Sequence, residues 1–119
     1  MPGRVLVHGD FGPNNMLFSP AGSALTVTAL LDWEFAHFGE PVEDLAWCEW
    51  IVRMHHPGQR AALGAFFAAY GSPVPPWDER RSFMVGRCAR LGEFCRRWGS
   101  PDGVRLWAQR AAATADWTE

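Results

Sequence analysis

The chain has 119 residues and a mass of 13.3 kDa, which is enough for one domain and too little for two full domains. With 48% hydrophobic and 20% charged residues, its composition is that of a globular protein and excludes a disordered or collagenous chain. The net charge of −2 and the pI of about 6.1 give no electrostatic reason to expect a nucleic-acid partner.

The N-terminal sequence and the cysteines bear on the compartment in which the protein acts. No apolar run approaches the roughly 20 residues that a membrane-spanning helix needs, and the segment MPGRVLVHGD lacks the apolar core of a signal peptide. The sequence therefore predicts a cytoplasmic protein with no membrane partner. The three cysteines form no CxxC pair and are expected to be buried free thiols: Cys48, Cys88 and Cys95.

Short strands are predicted in the first third of the chain. Apolar and β-branched runs predict them at residues 4–7, 16–18 and 25–31, and a Ser-Pro-Ala-Gly-Ser segment joins the last two as a hairpin. Alternation in the third run places four apolar residues on one face: Leu25, Val27, Ala29 and Leu31. Because such strands are too short for a self-sufficient sheet, helices must support them, and the predicted fold class is α+β.

Four helices are predicted in the rest of the chain, where the period of the apolar residues changes. Their predicted ranges are 41–54, 59–70, 78–98 and 101–113. The restricted φ of Pro41 suits the first turn of a helix. The helix dipole favours carboxylates in the same turn, which suits Glu43 and Asp44. We therefore divide the chain into residues 1–40, which carry the loops with chemistry, and a helical subdomain, residues 41–119.

Polar residues with a distinctive spacing lie in two segments of the strand-rich part. HGDFGPNNML, from residue 8, places His8, Asp10 and Asn15 in a loop between two strands. LDWE, from residue 31, places Asp32 at the end of the next strand. A tight loop and a neighbouring strand end can bring the oxygens of Asp10, Asn15 and Asp32 into one cleft. Oxygen donors without sulfur suit Mg²⁺, which also binds phosphate oxygens.

These segments resemble a known family. His-Gly-Asp-x-x-x-x-Asn followed by Leu-Asp-Trp-Glu is similar to the catalytic loop and metal-binding segment of the aminoglycoside phosphotransferase and choline kinase-like group. That group shares the protein-kinase core. GEPVEDLA, from residue 39, resembles the segment of the family that opens the next helix. The resemblance implies a C-terminal lobe fragment of a kinase-like fold, with a hairpin and catalytic loop followed by about four helices.

The resemblance also implies an ATP- and Mg²⁺-dependent transfer of the γ-phosphoryl group to a hydroxyl of a small molecule. Asp10 is expected to orient the acceptor hydroxyl and to take its proton. His8 is expected to be a scaffold residue that hydrogen-bonds the catalytic loop. Asn15 and Asp32 are expected to hold Mg²⁺, which neutralises charge on the phosphate oxygens.

Further residues are candidates for contacts with the nucleotide and the acceptor. Leu17 and Leu31 are expected to lie under the adenine, as the resemblance implies. Glu34 can attract a cationic acceptor such as an aminoglycoside or choline, or it can be solvated surface. Trp33 and Asp44 are also candidates for acceptor binding. For Asp44 the alternative is a brace for the catalytic loop or for the start of its own helix.

The tryptophans have two interpretations. The chain contains seven of them, a heavy aromatic load for its length. Trp33, Trp47 and Trp50 can form an aromatic wall for a cation, or they can pack in the core.

One residue type on which a complete kinase depends is missing. The chain contains no lysine, because all 11 basic residues are arginines. A kinase of this group uses a lysine and a phosphate-covering loop in a smaller N-terminal lobe. The sequence therefore predicts a C-terminal portion that is incomplete without an N-terminal lobe. The isolated chain is also expected to self-associate or to be poorly soluble, because it leaves apolar surface uncovered.

Two alternatives to phosphoryl transfer remain. The first is a non-catalytic remnant of a kinase-like protein, whose helices serve as a binding or assembly surface; the missing lysine favours it. The second is metal-dependent hydrolysis by Asp10, Asn15 and Asp32. That alternative leaves the segment around Asp44 unexplained.

Overall fold

The structure, a computed structural model, describes residues 4–21 and 24–119. Its strands are β1 (Val5–Val7), β2 (Met16–Ala21), β3 (Ala24–Leu30) and β4 (His37–Gly39). Its α-helices are α1 (Pro41–His55), α2 (Leu63–Tyr70), α3 (Trp77–Arg97) and α4 (Pro101–Ala115). These elements confirm the α+β class and are consistent with the C-terminal portion of a kinase-like fold. In the described ranges, no helix has the length and apolar character that crossing a bilayer requires.

The chain divides into two compact units. The first, Met1–Ser72, carries the strands, α1 and α2, and the second, Pro73–Glu119, carries α3 and α4. The first two helices therefore belong with the loops. The division that we predicted at residue 40 separates the segment with the candidate catalytic and metal-binding loops from the helical segment. It stays a prediction.

The described strands form two antiparallel pairs, β1 with β4 and β2 with β3. In the first pair, Leu6 lies opposite Phe38, and Val7 lies opposite His37. Strand β4 was not predicted, because three residues that include a histidine and a glycine give no strand signal of their own. Its pairing with β1 brings the start of α1 back to the loop that follows β1.

A bulge interrupts the β2–β3 pair. Leu17 pairs with Ala29, whereas the next residue of β2 pairs with Val27. Directly opposite residues share a face of an antiparallel pair, so the extra residue in β3 reverses which face the following side chains occupy. The predicted common face in β3 is therefore wrong, because Ala29 lies on the opposite face from Val27.

Helix α1 provides most of the core of the first unit. Every residue from Leu45 to Ile51 is buried, which is typical of a helix enclosed on nearly all sides. The rings of Trp47 and Trp50 stack with centroids 4.4 Å apart and planes 3° apart. Glu49, which is fully buried, is paired with Arg53 at 2.9 Å, so its charge is compensated.

Helices α3 and α4 form a helical hairpin in which small residues permit close packing. Met84 and Cys88 are completely buried. Ser100 caps α4 by accepting a hydrogen bond from the Gly103 backbone N–H at 3.2 Å. A β-carbon placed on Gly103 would lie 2.6 Å from Sγ of Cys95, closer than any van der Waals contact allows. The close approach of the two helices therefore favours glycine at position 103.

We expect Gly103→Ala to lower the free energy of unfolding by about 1–3 kcal/mol, because the new methyl group overpacks the α3–α4 contact. Chemical denaturation measures the change. Gly64→Ala in α2 is the matched control, since a β-carbon there meets no atom within 4 Å. Ala has the higher helix propensity, so the control should be neutral or slightly stabilising. Equal changes in the two variants would contradict the packing argument.

The cysteines are free thiols, as predicted, but the predicted burial is confirmed for only two of the three. Cys48 and Cys88 are buried and Cys95 is partly buried. Burial raises the pKa of Cys48 to about 12. Burial also raises the pKa of Cys88, although a hydrogen bond with Thr114 opposes the shift. These two thiols are therefore structural and unreactive at neutral pH.

Candidate functional site

The loop after β1 is braced by the first turn of α1. The backbone N–H of His8 donates to Oδ2 of Asp44 at 2.8 Å, and that of Gly9 donates to Oδ1 at 3.1 Å. Both oxygens of one carboxylate thus bind consecutive backbone groups of the loop. This is the bracing role that we considered for Asp44. Its alternative role in acceptor binding stays a prediction.

His8 joins the loop to the segment after β3. Its Nδ1 accepts a hydrogen bond from the backbone N–H of Asp10 at 3.1 Å. The proton of the neutral ring therefore lies on Nε2, which donates to the carbonyl oxygen of Leu31 at 2.8 Å. The ring of Trp33 packs edge-on against the buried imidazole, with centroids 4.6 Å apart. With both nitrogens occupied, His8 acts as a scaffold residue.

The Asp10 carboxylate is held from two sides. The amide nitrogen Nδ2 of Asn15 donates to Oδ2 of Asp10 at 3.1 Å and to its backbone oxygen at 2.8 Å. The indole Nε1–H of Trp47 donates to Oδ1 of Asp10 at 3.1 Å. Each carboxylate oxygen therefore has a fixed donor and keeps a further lone pair. Asp10 itself is half-buried, at the border between the core and solvent.

Asn15 lies beside the strand end that carries Asp32. The Asn15 carbonyl oxygen accepts a hydrogen bond from the backbone N–H of Leu31 at 2.8 Å, one residue before Asp32. Asn15 is 6% exposed, and both of its amide protons are directed to Asp10. The side-chain oxygen Oδ1 of Asn15 is thus the atom that can bind a cation. The structure therefore brings Asp10, Asn15 and the Asp32 segment together.

Asp32 has an unusual backbone conformation, with φ of 61°. The left-handed region costs most residues about 1–2 kcal/mol, and Asp and Asn tolerate it best. The side chain is exposed at the end of the strand. Such an outlier at a predicted metal ligand is consistent with a functional constraint on its direction.

The donor set suits magnesium in one respect. Within the described residues, no group of three or more His, Cys, Asp and Glu side chains could hold a metal ion. Mg²⁺, however, is usually bound by one or two carboxylates together with waters and substrate phosphates. One carboxylate and one amide oxygen, from Asp32 and Asn15, are therefore compatible with this ion, and their role as its ligands stays a prediction.

Gly9 permits a close approach between the loop and the turn after Asp32. Its φ is +93°, and a β-carbon there would lie 2.5 Å from the carbonyl oxygen of Phe35. The turn itself closes through a hydrogen bond from the Ala36 N–H to the Trp33 carbonyl at 2.9 Å. Glycine is therefore required between His8 and Asp10 in the predicted motif.

The remaining candidate residues lie at the exposed edge of the site. Leu17 lies on the same face of the hairpin as Ala29, and Leu31 follows that hairpin; both leucines are partly exposed. Trp33 is half exposed, and Glu34 is exposed. The predicted contacts of these side chains with adenine and acceptor stay predictions.

The wall of three tryptophans, which we considered as the alternative to core packing, is not formed. Trp47 and Trp50 are 3% and 1% exposed, so for them the packing interpretation is correct. Trp33 is exposed, and its Nε1–H donates to the Leu30 carbonyl at 2.9 Å.

His37 couples β4 to the cap of α1. Its Nε2 lies 2.8 Å from Oε1 of Glu43, whose Oε2 accepts the backbone N–H of Glu40 at 2.7 Å. The hydrogen bonds to the Phe35 carbonyl and to Glu43 raise the pKa of His37 above its ordinary value of 6.5. The protonated ring therefore stabilises the folded chain below that value, and this stabilisation is lost as the pH rises through the folded-state pKa.

We expect the melting temperature of the wild-type chain, relative to His37→Gln, to fall as the pH is raised from about 5 to 8. The neutral glutamine keeps hydrogen-bonding groups but does not titrate. Thermal denaturation followed by circular dichroism at several pH values measures the difference. Parallel curves for the two proteins would show that the His37–Glu43 pair does not contribute.

Comparison with known proteins agrees with the motif. Residues 1–83 match the sequence profile described as the phosphotransferase enzyme family. The chain belongs to this family. The resemblance inferred from the residues between His8 and Ala46 is thereby confirmed. No solved structure gives a significant match.

Several curated proteins are also similar to this family member. Acyl-CoA dehydrogenase family member 11 of Homo sapiens is 46% identical over 93 residues, which are 78% of this chain and 11% of that protein. The protein of the same name from Gallus gallus is 33% identical over 89 residues, or 71% of this chain and 11% of that protein. Acyl-CoA dehydrogenase family member 10 of Mus musculus is 45% identical over 42 residues, or 35% of this chain and 4% of that protein. The chain thus spans about a tenth of the length of these relatives or less.

Sequence reasoning missed the contact between Trp47 and Asp10. We considered Trp47 as core packing or as part of an aromatic wall, and it is buried as the first interpretation requires. The available signal was its position three residues after Asp44, since residues at this spacing share one face of a helix. A face that braces the loop through Asp44 also presents the next side chain to that loop.

Proposed function

We propose that this chain forms the catalytic part of a cytoplasmic, ATP- and Mg²⁺-dependent phosphotransferase that phosphorylates a hydroxyl group of a small molecule. The observation that carries the proposal is the Asp10 carboxylate, held by Trp47 and Asn15 beside the segment of Asp32. Membership of the phosphotransferase family supports the reaction type.

Asp10 acts on the acceptor hydroxyl in this proposal. A lone pair of its carboxylate accepts the hydroxyl hydrogen bond, which orients the oxygen toward the γ-phosphorus. As the bond between the acceptor oxygen and the γ-phosphorus forms, the bond from the γ-phosphorus to the β–γ bridging oxygen of ATP breaks. That oxygen leaves with ADP. The hydroxyl proton passes to the Asp10 carboxylate. His8 takes no proton, because its Nδ1 accepts from the loop and its Nε2 donates to the Leu31 carbonyl.

Asn15 and Asp32 are the residues that would hold Mg²⁺, through Oδ1 of the amide and the carboxylate. When bound, the ion neutralises charge on the phosphate oxygens. Leu17 and Leu31 are proposed to contact the adenine. The hydrogen bond between Leu31 and Asn15 links that apolar surface to the proposed metal ligand.

The acceptor is proposed to lie on the side of Trp33 and Glu34, where an exposed ring and a carboxylate suit a cation. Choline and aminoglycosides meet this requirement. Relatives named acyl-CoA dehydrogenase family members add a third candidate, an acyl-CoA that carries a hydroxyl group. This acceptor is anionic, so it would have to bind away from the Glu34 carboxylate. Asp44 is the weaker candidate for acceptor binding, since both of its oxygens hold the loop.

Transfer of radiolabel from [γ-³²P]ATP tests the proposal. The chain is incubated with choline, an aminoglycoside or a hydroxyacyl-CoA, in Mg²⁺ or in EDTA. We expect slow, Mg²⁺-dependent labelling of at least one acceptor, slow because the chain has no lysine. Release of phosphate to water alone would instead support metal-dependent hydrolysis. If no acceptor is labelled and ATP does not bind in the presence of Mg²⁺, the proposal is overturned in favour of a non-catalytic remnant.

An additional lobe or a second copy is proposed as a partner, because the first unit exposes apolar side chains. Phe38 is 69% and Leu25 is 70% exposed. A pocket of about 490 Å³ is lined mainly by apolar residues that include Phe11, Leu45 and Phe66. Surfaces of this kind mark interaction sites.

We expect the isolated chain to self-associate in sedimentation velocity, and Leu25→Asp to shift the distribution toward monomer. Ala108→Asp, on an exposed position of α4, is the control and should leave the distribution unchanged. A wild-type chain that sediments as one monomeric species and binds no hydrophobic dye would contradict this prediction.

A further inference from the structure

We propose that Trp47 is a positioning residue for phosphoryl transfer, because its indole N–H fixes the carboxylate of Asp10. The proposal rests on the proposed function, in which Asp10 is the group that meets the acceptor hydroxyl. The Nε1–Oδ1 distance of 3.1 Å is that of a hydrogen bond between a neutral donor and a charged acceptor.

The direction of the Trp47 N–H is fixed because the indole ring is buried and stacked against a neighbouring ring. Trp47 is 3% exposed, and Trp50 stacks on it in nearly parallel orientation. A buried indole needs a partner for its N–H, and here that partner is Asp10. A phenylalanine would keep a smaller aromatic ring at this position and leave Oδ1 without this donor.

One face of α1 therefore makes two different contacts with the loop. Asp44 accepts from the backbone of His8 and Gly9, which sets the path of the loop. Trp47, three residues later, binds the side chain of the following residue, Asp10. The first contact positions the backbone that leads into Asp10, and the second orients the Asp10 carboxylate.

Asn15 alone does not fix the carboxylate plane. Its Nδ2 reaches Oδ2, so a carboxylate without Trp47 can still rotate about that single contact. Small displacements of a reacting group lower the rate of an enzyme without a comparable change in substrate binding. Loss of the indole N–H is therefore expected to lower kcat and to leave KM nearly unchanged.

The first test observes the hydrogen bond itself. The seven tryptophans provide indole N–H signals in a ¹H–¹⁵N correlation spectrum. The Trp47 signal is assigned by triple-resonance experiments and by its absence in Trp47→Phe. We expect Asp10→Ala to move this signal, and the control Asp102→Ala in α4 to leave it in place. An unmoved Trp47 signal in a folded Asp10→Ala chain would overturn the proposal.

The second test separates positioning from packing. Trp47→Phe keeps an aromatic ring and removes the donor, and Trp107→Phe makes the same change at a partly buried tryptophan of α4. We expect a decrease in kcat of about tenfold for Trp47→Phe, with the KM values for ATP and acceptor within about twofold of wild type. The control Trp107→Phe is expected to stay within about twofold in kcat. Equal kcat values for the two variants would overturn the positioning role.

The outcomes also distinguish this inference from the proposed function. If the wild-type chain labels no acceptor, the proposed function fails, and the indole signal still shows whether Trp47 binds Asp10. If the wild type is active and Trp47→Phe has the same kcat, the proposed function stands and the role of Trp47 is wrong.

Discussion

Asp10→Asn is expected to lower phosphoryl transfer by about 10²–10⁴-fold, the range that a positioned general base contributes. Asparagine has nearly the same shape and can still accept a hydrogen bond from Trp47 or Asn15. It cannot take the hydroxyl proton, so kcat should fall while Mg²⁺-dependent ATP binding persists. Labelling from [γ-³²P]ATP measures the transfer, and calorimetry measures the binding.

Asp102→Asn is the matched control for this experiment. Asp102 is an exposed carboxylate in the first turn of α4 and is paired with Arg105. The same change of charge there should leave transfer within about twofold of wild type, as expected for a surface substitution. Undiminished transfer in Asp10→Asn would show that the carboxylate is not the proton acceptor.

Asp44→Asn is expected to lower the free energy of unfolding by about 2–4 kcal/mol, because one acceptor oxygen becomes an N–H donor. In the wild-type chain the two oxygens accept from the backbone N–H groups of His8 and Gly9. In the variant, one of these two backbone N–H groups faces the N–H of the new amide side chain in a partly buried environment. Chemical denaturation measures the loss, and phosphoryl transfer should fall with it, since the loop also carries Asp10.

Glu34→Gln controls for the loss of a negative charge near the same loop. Glu34 is exposed, so its neutralisation should change the free energy of unfolding by no more than about 0.5 kcal/mol. A similarly small change in Asp44→Asn would mean that the brace contributes little and that solvent replaces it.

Much of the helical part of the fold could be predicted from the sequence. Pro41 and Pro101 begin α1 and α4 as expected, because a first-turn proline loses no hydrogen bond. The second predicted helix began too early, since residues Pro57–Ala62 form a 3₁₀ helix before Leu63. A tighter turn and an α-helix have the same local composition, so the sequence does not separate them.

The strands were harder to predict because their pairing depends on distant residues. Strand β4 exists through its pairing with β1, more than 30 residues earlier in the chain. The bulge opposite Leu17 leaves no mark in residue types, although it moves Ala29 to the other face. Local alternation predicts the faces of a strand only where the register is uninterrupted.

The proximity of the two segments that carry the candidate residues could be predicted, but the contacts within the site could not. Asp10, Asn15 and Asp32 have a distinctive spacing, and the structure places their segments together. Their roles stay predictions. Trp47 lies in a run of buried residues, where tryptophan ordinarily indicates packing. The direction of its N–H depends on how α1 meets the loop, which is a tertiary property.

Paramagnetic relaxation by Mn²⁺ in the presence of ATP tests the central claim most directly, because Mn²⁺ uses the same oxygen ligands as Mg²⁺. We predict broadening that is strongest for the amide signals around Asn15 and Asp32 in the wild-type chain and that decreases with distance from them. Asp32→Asn, which suits the same backbone conformation, should abolish this pattern. Broadening that is uniform along the chain, or that persists unchanged in Asp32→Asn, would contradict a metal site formed by these two residues.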